Sequence, residues 1–194
     1  MAGPGRLVAE TLRVRYLGVD ASAGAIDIAR SRTRGLDCAF LVGTVPPAPQ
    51  GPFEVVLLLE TVLAFADKGV LVGEVAAALA RGGRFAFTLE AGAPLSSEGR
   101  RRMPDADTVW PVPLGEMVQC LDRAGLHLQW HADWTAAHLA VATALTEAYE
   151  ERADEMAAEV GGRAVAELLA ANELWVTWLA SGRIRKFAVV AAKA

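Results

Sequence analysis

Apolar residues along this chain occur in two rhythms, short unbroken runs and helically spaced sets, and the two alternate. Residues 14–19 form an apolar run that reads as a buried strand, with Asp20 just past its end. Residues 38–42, 53–59, 84–89, 126–133 and 184–192 read as further strands. The near-continuous run 53–59 predicts a strand covered on both faces, as in a parallel sheet. Residues 126–133 alternate, with Leu126, Leu128 and Trp130 opposite His127, Gln129 and His131, which predicts a half-buried strand. Between the strands, residues 6–12, 22–33, 69–81 and 114–124 carry helical spacing. Pro4 suits a first helical turn, where its missing N–H costs nothing. Ser22 and Asp67 are N-cap residues by type, and Gly35, Gly82-Gly83 and Gly125 stand where helices stop. Alternating strands and helices predict an α/β fold.

Two stretches break that alternation. Residues 46–52 are proline-dense and read as a loop across the sheet end. Residues 91–113 hold four prolines and scattered charge; they read as a long irregular loop anchored by Met103, Val109 and Trp110. Loops of that length in compact domains are usually functional or disordered. Later, residues 135–156 and 163–180 are long, alanine-rich and helical in spacing. Joined by Gly161-Gly162, they predict an αα-hairpin inserted before the last strand.

Composition narrows the function classes. Of the 194 residues, 53% are hydrophobic, enough for a large core and against disorder. The net charge of −4 and pI near 5.4 give no electrostatic case for a nucleic-acid partner. Arg100-Arg101-Arg102, the one dense basic run, reads as a solvated loop. Cys38 and Cys120 show no metal or redox spacing; they read as buried free thiols and suit a reducing cytoplasm. No apolar run reaches the length of a membrane span, and residues 1–13 lack the apolar stretch of a signal peptide. The whole reads as one domain over 1–194.

The chemistry lies at strand ends. Gly3-Pro4-Gly5, a helix, a strand and then Asp20 follow the order of a nucleotide-binding βαβ unit without its first strand. Glycines let the backbone approach a ligand, and a strand-end acid accepts hydrogen bonds from ribose hydroxyls. Glu60 and Glu90 close two more strands. Each of the three acids has the alternative reading of a solvated loop carboxylate.

Four motifs, Gly3-Pro4-Gly5-Arg6, Gly18-Val19-Asp20-Ala21-Ser22, Phe53-Glu54-Val55-Val56-Leu57 and Gly82-Gly83-Arg84-Phe85, follow one another as in class I S-adenosylmethionine-dependent methyltransferases, which this chain resembles over residues 1–90. The resemblance implies a Rossmann-like, mostly parallel sheet with an antiparallel last strand, binding S-adenosylmethionine at the strands' carboxyl edge and releasing S-adenosylhomocysteine. It implies that Gly3 and Gly5 lie beside the methionine part of the cofactor. Asp20 would hold the ribose hydroxyls, and Ala21 would lie against adenine. Gly43-Thr44 stands where the family often has Gly-Asp, so the threonine departs from the pattern. Leu59 and Glu60 would line the cofactor pocket. The family's first strand precedes the glycines, and Met1 stands where the motif's first glycine would be. The expectation is therefore an N-terminally incomplete reading of a longer protein, with two strand edges left unpaired.

For methyl transfer to a small organic acceptor, His131 is the candidate base, because it ends a strand and titrates near neutrality. Its alternative is a surface histidine. His138, Tyr149 and Glu90 stand behind it. Segments 91–113 and 135–180, with Trp110, Trp134, Trp175 and Trp178 as apolar walls or as ordinary helix packing, would cover the acceptor pocket. A protein of the same fold without methyl-transfer activity, and a nicotinamide dehydrogenase, are the competing readings; no metal is implied and the oligomeric state is open.

Overall fold

The computed structural model describes residues 3–194, leaving aside the side chains of Gly3 and Pro4; Met1 lies outside the described residues. Two compact units divide the chain, Met1–Pro49 and Gln50–Ala194.

In the first unit, α1 (Gly3–Leu12), β1 (Tyr16–Asp20), α2 (Ala23–Arg32) and β2 (Cys38–Val42) follow in order. β1 and β2 pair in parallel, with Tyr16 opposite Cys38 and Asp20 opposite Val42. Helix α2 starts where expected, because Ser22 Oγ accepts the Ala25 N–H at 3.2 Å. It gives way at Thr33, two residues before Gly35 takes φ +86°. Ile26, Ala29 and Phe40 form the core, with Tyr16 and Cys38 packed against it. The glycine turn expected at residues 3–5 is instead the start of α1. Gly5 is demanded by packing: a Cβ there would sit 2.5 Å from the Tyr16 ring. β1 begins at Tyr16, two residues later than the apolar run, and takes in Asp20 as its last residue.

The second unit contains β3 (Phe53–Leu58), α3 (Lys68–Ala78), β4 (Leu79–Gly92), α4 (Ser97–Arg102), α5 (Leu114–Arg123), β5 (Leu126–Asp133), α6 (Thr135–Glu151), α7 (Ala153–Val160), α8 (Gly162–Ala180) and β6 (Ile184–Lys193). Its four-stranded sheet runs β3-β4-β6-β5. β3 and β4 are parallel, whereas β6 is antiparallel to both β4 and β5. The sheet is therefore mixed, with an antiparallel last strand and helices between β5 and β6. Phe85, Phe87, Leu89, Val189 and Ala191 of the sheet are buried, as are Leu71 and Val72 of α3 and Met117 and Leu121 of α5.

Several expectations are corrected here. Among the described residues β3 pairs only with β4, so it is an edge strand. An edge strand has flanking side chains on one side only, so β3 is half covered rather than enclosed, and Val55 is 51% exposed. Helix α3 ends at Ala78, and β4 starts at Leu79, not Arg84. Gly82-Gly83 does not stop a helix. It forms a bulge inside β4, where pairing jumps from Phe53–Leu79 to Val55–Arg84 and Gly82 takes φ +71°. Strand β5 also bulges, between Leu128 and Trp130. The slip turns the alternation over, so Trp130 is 49% exposed although Leu126 is buried. Three helices, not two, separate β5 and β6: the first arm of the hairpin breaks at Arg152, which ends α6 and begins α7. Residues 91–113 contain α4 and a 3-10 turn (Ala106–Thr108), and Met103 and Val109 are buried as expected. The arginine run belongs to α4, with Arg100 over the Trp110 ring and Arg101 paired to Glu98. Both cysteines are free thiols, half-buried rather than buried.

Candidate functional site

In the first unit the residues of interest gather at the carboxyl end of the two parallel strands. Asp20 ends β1 and is exposed. Its Oδ1 accepts the Ser22 N–H at 2.8 Å, an Asx turn that fixes the carboxylate as the chain enters α2. Oδ2 has no partner among the described residues. Gly43 follows β2 and donates its N–H to the Asp20 carbonyl at 3.0 Å, so the two strand ends are tied together. Thr44 is exposed beside it, and Ala21 is exposed after Asp20. Gly3 and Gly5 lie in the first turn of α1. A fixed, exposed carboxylate between a strand end and a helix N-terminus is a donor-seeking site for vicinal hydroxyls.

The second unit contains a cluster of which only Glu60 and Glu90 were legible in the sequence. Lys186 on β6 is 1% exposed, yet it carries an ammonium. That ammonium donates to Glu60 Oε2 at 2.6 Å and to Glu90 Oε1. Glu90, read from the sequence as a strand-end acid, lies within β4 and is 4% exposed. Its second oxygen, Oε2, is buried without a hydrogen-bond partner. Glu60 differs: its side chain is 58% exposed, and its backbone is held at φ +59°. The Glu60 N–H donates to Thr88 Oγ1 at 2.7 Å, and Thr88 is buried. A non-glycine residue in this left-handed region persists only when its surroundings impose it. Here Thr88 on the backbone and Lys186 on the side chain do so. Leu59, next to it, is exposed.

Further titratable groups surround this cluster. Burial pushes the His138 imidazole down from its ordinary value, and the Lys186 charge adds to that; Glu60 and Glu90 pull the other way. Burial lowers Lys68 to about 8, against an opposing pull from Glu90. Its ammonium donates to the Val62 carbonyl at 2.8 Å and to that of Phe65, closing the 3-10 turn Val62–Ala64. At the end of β5, Asp133 accepts from the Thr135 N–H and hydroxyl and pairs with Arg185. Thr135 Oγ1 in turn accepts the Lys186 N–H at 3.0 Å.

His131 is exposed on β5, its ring 6.1 Å from that of Phe187, and two residues short of the strand end. Lys186 was missed by sequence reading because a lysine in the last strand looks like an outward-facing residue. The one available signal was its place in a run otherwise apolar from Phe187 onward.

Segments 91–113 and 135–180 meet. Leu95, Met103 and Val109 share a core with Ala142, Leu174, Trp178 and Leu179. Above it lies an apolar groove of about 170 Å³, lined by Leu63, Met103, Val109, Ala171, Asn172 and Trp175. Trp134 is exposed, whereas Trp175 and Trp178 pack edge to face.

Residues 2–87 match the family model described as a methyltransferase domain. Over that stretch the chain is similar to class I S-adenosylmethionine-dependent methyltransferase domains. Solved structures extend the likeness of fold to nearly the whole chain. The cyclopropane synthase MmaA2 from Mycobacterium tuberculosis is 12% identical, with a TM-score of 0.88 over 98% of this chain and 74% of that one. The Haemonchus contortus phosphoethanolamine N-methyltransferase 2, solved with phosphomonomethylethanolamine and S-adenosylhomocysteine, is 17% identical with a TM-score of 0.83. It is matched over 98% of this chain and 46% of that one. The [4+2]-cyclase SpnF is 19% identical with a TM-score of 0.80, covering 99% of this chain and 70% of that one. No curated protein matches the sequence. Among the described residues no helix is long and apolar enough to cross a membrane, and no group of side chains could hold a metal ion.

Proposed function

We propose that the chain transfers a methyl group from S-adenosylmethionine to a small organic acceptor. The Asp20 carboxylate carries this reading: it stands fixed and exposed at the end of β1, inside the segment that matches the methyltransferase domain. Two ribose hydroxyls are the donors such an oxygen pair would take, so the donor set fits the cofactor. Ala21 and Gly43 offer small surfaces for adenine, and the Thr44 hydroxyl offers one hydrogen bond where the family often has an acid. Gly3, at the start of α1, would pass the methionine part. The bound cofactor supplies an electrophilic methyl on a sulfonium. The protein aligns the acceptor with it and takes up a proton. For that proton the candidates are His131, exposed on β5, and the half-buried His138.

The groove lined by Trp175 and Met103 supports a small, largely apolar acceptor, with segments 91–113 and 135–180 as its cover. The phosphoethanolamine enzyme shows the fold serving a small acceptor. A second reading keeps the fold without methyl transfer, and the likeness to a [4+2]-cyclase favours weighing it. Thermal shift with S-adenosylmethionine and S-adenosylhomocysteine separates the two. Stabilisation by both is expected; a folded sample that responds to neither refutes methyl transfer.

A further inference from the structure

We propose that the Glu60–Lys186–Glu90 cluster is the subsite that receives the polar end of the acceptor, and that Glu90 Oε2 accepts a hydrogen bond from its hydroxyl or amine. The assignment rests on the methyl-transfer reading above.

The argument begins with an imbalance. Buried polar atoms are almost always paired, because an orphan forfeits its hydration with no return. Glu90 Oε1 is satisfied by Lys186, yet Oε2, equally buried, has no partner. An orphan carboxylate oxygen can only accept, so the missing partner carries an N–H or O–H. Nearby groups do not supply it: no donor among the described residues lies within hydrogen-bond distance of Oε2.

Charge decides what kind of donor fits. Lys186 and Lys68 balance Glu60 and Glu90, so the cluster does not demand a cation. A neutral alcohol or amine suffices. Glu60 is the open member of the cluster: its side chain is more than half exposed while Lys186 and Glu90 are buried. Glu60 thus forms the rim of the subsite and Glu90 its floor, with Lys186 between them. The strained backbone of Glu60 belongs to the same account: Thr88 and Lys186 hold the rim residue in a conformation it would not choose.

Phenol, aniline and toluene test this, since they share one ring and differ in the donor. Each is titrated by NMR into the full chain saturated with S-adenosylhomocysteine, wild type and Glu90→Gln. The amide is isosteric with the carboxylate. With its oxygen on Lys186, it turns its NH2 toward the position of Oε2 and offers a donor where an acceptor stood. Phenol and aniline should bind wild type at least tenfold more tightly than toluene. Glu90→Gln should erase the preference for aniline, whose nitrogen donates but accepts poorly, while leaving S-adenosylhomocysteine affinity unchanged. Equal binding of the three probes to wild type, or a preference for aniline over toluene that survives Glu90→Gln, overturns the subsite with the cofactor reading intact. Failure of S-adenosylhomocysteine to bind wild type overturns the methyl-transfer reading and the subsite with it.

Discussion

Lys186 Nζ reaches Glu60 Oε2 at 2.6 Å while its other carboxylate partner, Glu90, is buried beside it. The two arms of this bridge differ in worth. The Glu60 side is open to water, where an ion pair contributes about 0–1 kcal/mol. The Glu90 side is dry, and removing the lysine strands a buried charge at a cost of about 3–5 kcal/mol. Urea denaturation should therefore show Glu60→Gln losing at most about 1 kcal/mol and Lys186→Met losing several. Lys186→Met combined with Glu90→Leu should recover most of that loss. If the double variant is no better than the single one, the buried pair is not the source of the cost.

Gly5 separates a packing glycine from a cofactor glycine. Its added Cβ would meet the Tyr16 ring at 2.5 Å. Gly5→Ala should destabilise by about 1–3 kcal/mol through that overlap, less about 1 kcal/mol gained from helix propensity. Trimming the ring in Gly5→Ala/Tyr16→Val should remove the overlap, and thermal melts of the single and double variants read it. A loss unchanged by the trimmed ring would show that Tyr16 is not what excludes a side chain.

Acid titration tests the β5 terminus. The Thr135 hydroxyl, the Thr135 N–H and Arg185 together hold the Asp133 carboxyl at about 2, below its usual 3.8. Between those values the unfolded chain binds the proton and the native one does not. The stabilisation is thus whole above about pH 4 and is lost as pH falls toward 2. Asp133→Asn should be less stable at neutral pH and should flatten the stability profile over that window. Identical acid limbs for the two proteins would contradict the assignment.

What the sequence made legible were features with local causes. Ser22 caps α2, Asp67 caps α3, and the Met103 and Val109 anchors are buried, because each follows from neighbours in the chain. Strand and helix order followed from periodicity for the same reason. The bulges at Gly82-Gly83 and Gln129 were not legible, since a slip in pairing, three residues in β4 and one in β5, leaves composition and spacing untouched. Nor was the Lys186 cluster: Glu60, Glu90 and Lys186 are far apart along the chain, and only the antiparallel pairing of β4 with β6 sets Glu90 opposite Lys186. Asp20 was readable because strand, acid and N-cap are consecutive.

Calorimetric titration of S-adenosylhomocysteine into wild type and Asp20→Ala tests the cofactor reading most directly. The substitution removes an exposed carboxylate, and unchanged melting would show that the fold survives it. Two hydrogen bonds to a charged oxygen pair, at about 1.5–3 kcal/mol each, predict an affinity loss of at least about a hundredfold. Equal affinity in a folded Asp20→Ala variant would contradict the account.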